Sequence, residues 1–336
     1  MPKGVAARRS GSRERAADWN NWCDGQVKDE CVGMDGSAAV GRPPRPEPWR
    51  FSFSEGRKYG TSSGMNSWRF RPSCWLVLSA VCLAVVQVAT AAETKPLRAM
   101  LITGGCCHEY GKQKDVLKLG LEDRINVEVV QVHTADTSTK ARFEMYEKPG
   151  WAKGFDVIIH DECTSDVKEM PYVQNILAAH KEGIAAVNLH CAMHCYRTGT
   201  EDWFQFVGIQ SAAHGPQEPI ALQFLDAQHP VTMGLTDWTT VREELYNNLK
   251  VFPTAHPLAR GKQFVKQRDG ADKSVEYVVV WVNEYEKTRV FSTTLGHNTA
   301  TVSDPRYLDL VSRGLLWSCN KLGPDGKPAA GYGRKR

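Results

Sequence analysis

Histidine, cysteine and carboxylate residues gather in four short segments of this chain, each placed just after an apolar, β-branched run. The first is Ile102-Thr103-Gly104-Gly105-Cys106-Cys107-His108-Glu109 and the second Ile159-His160-Asp161-Glu162-Cys163. The third is Leu189-His190-Cys191-Ala192-Met193-His194-Cys195 and the fourth Leu295-Gly296-His297-Asn298. Such residues bind borderline metals and move protons. His190 and His194 are four apart, which on a helix puts both on one face, as a pair of metal ligands requires. His108 with Glu109, and His160 with Asp161-Glu162, each set an imidazole beside a carboxylate. That suits a base oriented by an acid, or a ligand with its supporting partner; the carboxylates could equally cap a helix. Gly104-Gly105 permits close backbone approach to a ligand.

The elements that must position these residues read as an α/β fold. Strands are expected at Leu97–Ile102, Val127–Val132, Phe155–His160 and Ile184–Leu189, with helices at Lys112–Asp123 and Pro171–Glu182 between them. The third and fourth strands are apolar throughout, the pattern of strands buried on both faces. This alternation predicts a doubly wound parallel sheet. The carboxyl ends of parallel strands share one edge, and ligands bind there where the strand order reverses. The second half is less regular. It holds expected strands at Ile220–Phe224, Val275–Val282 and Arg289–Thr294, a turn-rich connection at His229–Leu235, and an amphipathic helix at Arg306–Ser318. The stretch from residue 322 to 336 reads as a flexible tail.

Glu244 and Tyr246, in Glu243-Glu244-Leu245-Tyr246, are further candidates for the pocket, although paired glutamates usually solvate a helix face. Tyr246, Trp203, Trp238 and Trp281 are candidates for stacking on sugar rings or for the core. Cys191 sits on the turn after a strand, where a nucleophile would sit. Its neighbours His190 and Ala192 are not the small glycines that tolerate a strained elbow.

Residues 65–92 read as a secretory signal: Met65, then Arg69 and Arg71, an apolar run from Cys74 to Val88, and Ala89-Thr90-Ala91 as a cleavage pattern. The run is short for a membrane span. Export to the periplasm or beyond is therefore expected, with no membrane anchor after cleavage. Residues 1–64, rich in Arg, Gly, Ser and Pro, read as an untranslated or disordered extension before the true start at Met65. Residues 1–92 carry 13 Lys+Arg against 8 Asp+Glu, and residues 93–336 carry 29 against 30. The basic balance thus lies outside the main domain, and no nucleic-acid surface is expected. Six cysteines follow residue 92, too few for a disulfide scaffold; one structural disulfide is permitted, with no pairing deducible.

Taken in order, the Gly-Gly turn with His108-Glu109, His160-Asp161-Glu162, Val187-Asn188-Leu189-His190, His229-Pro230-Val231-Thr232-Met233-Gly234-Leu235, Glu244-Leu245-Tyr246 and Leu295-Gly296-His297-Asn298 resemble the ThuA-like family, named for trehalose utilisation. The resemblance spans about Leu97 to Lys321. It implies a fold similar to class I glutamine amidotransferases: a three-layer, flavodoxin-like, mostly parallel sheet with helices on both faces. It also implies carbohydrate catabolism, on disaccharides or 3-keto-glycoside derivatives, and the missing glycine-flanked elbow at Cys191 puts glutaminase activity in doubt. The leading expectation is an exported sugar-processing enzyme. His190, His108, His160, His297 and Glu244 are its catalytic candidates, and Gly104, Gly105, Glu109, Tyr246 and Asn298 line its substrate site. A divalent metal such as zinc would draw on His190, His160, His108 and His194. A non-catalytic carbohydrate-binding protein and a cysteine-dependent amidase using Cys191 stay open.

Overall fold

The computed structural model describes residues 94–266 and 272–334. The readings of residues 1–64 and of the signal segment at 65–92 lie outside the described residues.

The chain opens with β1 (Leu97–Gly105), α1 (Tyr110–Arg124), β2 (Val127–His133), β3 (Val157–Cys163), α2 (Met170–Lys181) and β4 (Ala185–Leu189). Pro171 lies in the first turn of α2, where its missing N–H costs nothing, and Gly183 ends the segment at φ 111°. A 3₁₀ turn at His190–His194 leads to α3 (Asp202–Val207) and β5 (Ile209–Gln210). Then come β6 (His214–Phe224), β7 (Trp238–Tyr246), β8 (Lys250–Val251), β9 (Ala255–Lys266), β10 (Asp272–Tyr285) and β11 (Thr288–Thr293). Two helices close the fold, α4 (Thr299–Val302) and α5 (Pro305–Ser318), the latter capped by Asp304, whose carboxylate accepts from the Arg306 N–H.

The nine-stranded sheet has the order β2-β1-β3-β4-β11-β10-β9-β6-β7. Its first five strands run parallel, from β2 to β11. The remaining four join antiparallel, each to its neighbour. The chain steps outward from β1 to β2 and then returns to β3 on the other side, so the order reverses between β1 and β3. The α/β expectation is met; the antiparallel extension brings β7 and β9, which the sequence pattern did not reveal.

Period-two alternation sorts the parallel strands onto two faces. Ala99, Leu101, Val157, Ile159, Val187 and Leu189 pack with α1 and α5. Met100, Ile102, Ile158 and Ala186 face the other way, into a cluster with Ile176 of α2 and with Trp203 and Phe206 of α3. Close packing of α5 depends on Gly314, where an added Cβ would come within 2.3 Å of the Phe291 ring. The segment expected to be a loose tail is tied down instead. Asn126 donates from its side chain to Gly331 O at 2.8 Å and Arg334 pairs with Asp123.

Candidate functional site

The parallel strands deliver their ends to one rim. His108 follows β1, Cys163 ends β3, His190 and Cys191 follow β4, and His297 follows β11, and these strands are neighbours in the sheet. A cavity of about 1520 Å³ opens at this rim, lined by His108, Cys163, Cys191, Glu244, Tyr246 and His297 among others. It lies over the reversal point between β1 and β3, the place the topology reserves for a ligand.

Glu244 is the hub. It comes from β7, at the far edge of the sheet, whose last residues Glu243–Tyr246 are all buried. Its Oε2 lies 3.5 Å from His190 Nε2 and 3.5 Å from His214 Nε2, and its Oε1 lies 3.2 Å from His297 Nδ1. The His297 contact has ion-pair distance without the alignment of a hydrogen bond. Burial would push the Glu244 carboxyl up, but His190, His297 and His214 outweigh it and hold the group far below the usual carboxylate range. Burial disfavours charge on His297 too, yet the Glu244 contact and field win and raise it. His214 moves down, chiefly through burial.

Glu243, one residue earlier, aims at the other side of β7 and fixes the loop that carries His297. Its carboxylate accepts from the N–H groups of Gly296, His297 and Asn298 at 3.4, 3.1 and 3.0 Å. Asn298, at the cavity edge, caps α4 with its side chain. Tyr246 stacks on His194 at 4.0 Å between centroids and holds its hydroxyl 3.3 Å from His190 Nε2.

His190 stands at φ 42°, a strained position for a non-glycine residue on the turn after a strand. That is the place of a nucleophile elbow. The elbow therefore carries an imidazole, and Cys191, one residue later, pairs with Cys163. Cys106 pairs with its neighbour Cys107, so there are two disulfides where the sequence only permitted one and fixed no pairing, and Cys106 Sγ lies 3.3 Å from Cys163 Sγ. Cys191 as a free nucleophile is not what this arrangement provides.

Several expected site residues lie elsewhere. His160 does not reach the cavity. Strand β3 runs on to Cys163 rather than stopping at His160, so the ring sits inside the strand and, sharing a face with Ile158, points into the α2–α3 layer. There it is fully buried, with Nδ1 2.9 Å from Glu162 Oε1 and Nε2 3.1 Å from His180 Nε2. Tyr146 and Tyr196 donate to the same Glu162 oxygen at 3.2 and 3.0 Å. His194 does not join His190 as a ligand pair. The segment is a 3₁₀ turn, whose three residues per turn put i and i+4 about 120° apart. His194 Nε2 bonds to Ser211 Oγ at 2.8 Å instead.

Gly104 is buried against Thr134 away from the cavity lining, whereas Gly105 lines the cavity with its backbone close against the end of β3. A Cβ there would fall 2.1 Å from Cys163 O. Glu109 is exposed at the mouth, paired with Lys112 and accepting from Thr299 at 2.9 Å. Trp203 and Trp281 are sealed in the core, and Trp238 is covered by Arg306. His214, Ser211 and Arg197 line the cavity, and the sequence pattern pointed to none of them. His214 begins an antiparallel strand, so no strand-end signal marked it.

The buried His160–His180 pair has a measurable consequence. His180 donates from Nδ1 to Ile184 O at 2.8 Å, and burial, with His160 second, pushes its pKa down to about 3. The unfolded ring protonates near pH 6.5, the folded ring only near 3. Stability from this group is therefore flat above pH 6.5 and falls at about 1.4 kcal/mol per pH unit below it. Urea denaturation between pH 7 and 4 should show a shallower decline for His180→Gln than for wild type. Parallel declines would rule out this role for the ring.

The family profile described as ThuA, trehalose utilisation, matches residues 98–318. The chain belongs to the ThuA family. A ThuA-like protein from Parabacteroides merdae superposes with a TM-score of 0.55 at 19% identity, covering 72% of this chain and 98% of that one. A ThuA-like protein from Bacteroides uniformis gives 0.51 at 17% identity, covering 71% and 99%. At such identities the likeness speaks for the ThuA fold alone. No curated protein matches the chain.

Proposed function

We propose that this ThuA-family protein is an exported enzyme of carbohydrate catabolism that moves protons on keto derivatives of disaccharides or related glycosides. The observation that carries this reading is the buried Glu244 carboxylate, set among three imidazoles at 3.2–3.5 Å on a cavity of about 1520 Å³. A carbon next to a sugar carbonyl loses its proton only when a base is in reach and the oxygen's developing charge is met. Glu244 is the base: its imidazole partners hold it ionised, and a sugar that draws them away raises its basicity as it takes the carbon-bound proton and the C–H pair moves toward the carbonyl. The oxygen takes up a proton from the neighbouring imidazole of His297, giving an enediol. Tyr246 and Asn298 flank the cavity with hydroxyl and amide groups for the sugar.

The family description supports carbohydrate as the substrate class. The signal-like segment at 65–92 supports export, and two disulfides suit an oxidising compartment.

The test is hydrogen–deuterium exchange. A 3-keto-disaccharide incubated in heavy water with the protein should lose the proton beside its carbonyl, followed by NMR. Tight binding with no exchange and no turnover would replace this reading with a carbohydrate-binding protein. Hydrolysis of amides, lost in Cys191→Ser, would replace it with a cysteine amidase.

A further inference from the structure

Both ring nitrogens of His108 are buried and neither has a hydrogen-bond partner. A buried polar atom left this way costs about 1–3 kcal/mol, so it needs a reason. The ring lies edge-on to two others, His190 at 4.6 Å and His297 at 4.8 Å between centroids. His297 Nδ1 is likewise buried without a hydrogen bond.

His190 adds a second observation. Its Nδ1 is 2.7 Å from Thr294 O, a contact that requires the proton on Nδ1. In the neutral ring Nε2 then bears a lone pair, and this lone pair faces the Glu244 carboxylate at 3.5 Å. The Tyr246 hydroxyl, 3.3 Å away, is the other group this nitrogen faces. Fixing one ring nitrogen on a backbone carbonyl while the other is presented inward is also how metal-binding histidines are oriented.

We infer that His108, His190 and His297 form a binding site for one divalent cation of zinc-like preference at the floor of the cavity. One nitrogen of each lies within 4.8 Å of the others, and ligation at about 2.0–2.1 Å needs the rings to draw in by roughly 1 Å. Three imidazoles beside a carboxylate favour zinc and its borderline neighbours over magnesium or calcium. Three protein ligands under an open cavity leave a position for substrate, as catalytic zinc sites do. There the ion would supply the positive charge at the carbonyl oxygen that protonated His297 otherwise supplies. That catalytic role rests on the proposed function; the binding site does not.

A sulfur-rich alternative lies alongside: His108, Cys163 and Cys191 also offer converging atoms, but only after the Cys163–Cys191 disulfide is reduced. The experiment separates the two. The full chain, purified without reductant and stripped by chelator, is titrated with Zn²⁺ against a chromophoric chelator. One equivalent should bind. His108→Ala and His190→Ala should each weaken binding by about 100-fold or more, and His297→Gln serves where an alanine variant fails to fold. His256→Ala, at an exposed ring paired with Asp226, should bind as wild type does. Co²⁺ in the same site should show visible d–d bands without thiolate-to-cobalt charge transfer.

No stoichiometric binding, undiminished affinity in His108→Ala and His297→Gln, or binding that appears only after reduction would overturn the assignment. Deuterium exchange by zinc-free protein would leave the proposed function standing and remove the ion's catalytic role. No exchange by zinc-loaded protein would remove the proton-transfer reading and leave the site.

Discussion

Glu244→Gln is expected to lower the rate of proton exchange on a keto-glycoside by roughly 10²–10⁴-fold, the usual contribution of a positioned base. The amide matches the carboxylate in shape, so packing between β6 and β7 is kept. Gln217, which donates to Glu244 Oε1 at 3.3 Å, can donate to the new amide oxygen. What disappears is the charge on which His190, His214 and His297 converge. Turnover and thermal midpoint should be measured together. A variant that folds as wild type and exchanges protons as fast would show that Glu244 is not the base.

Gly105→Ala is expected to destabilise the fold more than any surface change, by about 2–5 kcal/mol. Two costs combine. The residue has φ 92°, which a side chain disfavours by about 1–2 kcal/mol. Its Cβ would also lie 2.1 Å from the carbonyl oxygen of Cys163, a backbone atom that cannot swing aside. Overpacking of this kind adds about 1–3 kcal/mol. The β1 and β3 tips would separate, weakening the Cys106 N–H bond to Cys163 O, 3.2 Å long. Against a total stability of about 5–15 kcal/mol this is a large loss, readable as a lower urea midpoint at unchanged m. A change under about 0.5 kcal/mol would mean the strand tips are not this close.

The parallel half of the sheet was legible because its strands are apolar throughout and its helices carry clear boundaries, such as Pro171 and Gly183 around α2. From that half, His108, His190 and His297 followed as tip residues, and they do meet. His160 did not, because periodicity marks a strand without marking its last residue, and three more residues put the true tip at Cys163. Glu244 was visible as a carboxylate but not as part of a strand. The run Trp238–Tyr246 carries Arg242, Glu243 and Glu244 together, which hides the alternation of β7. Strand β9 is masked in the same way by Pro257 and Gly261, the latter needed where Ile220 crosses. Without those antiparallel strands, nothing in the sequence could bring His214 to the rim.

The central claim is that imidazoles from separate strands share one carboxylate. Its most direct measurement is the ¹⁵N imidazole spectrum of the histidines in wild type and Glu244→Gln. Resonances of His190, His214 and His297 should move together, while those of His160 and His180, sealed in the α2–α3 layer, stay in place. If none of the three shifts, or only one does, the rings do not converge on Glu244, and the shared site does not exist.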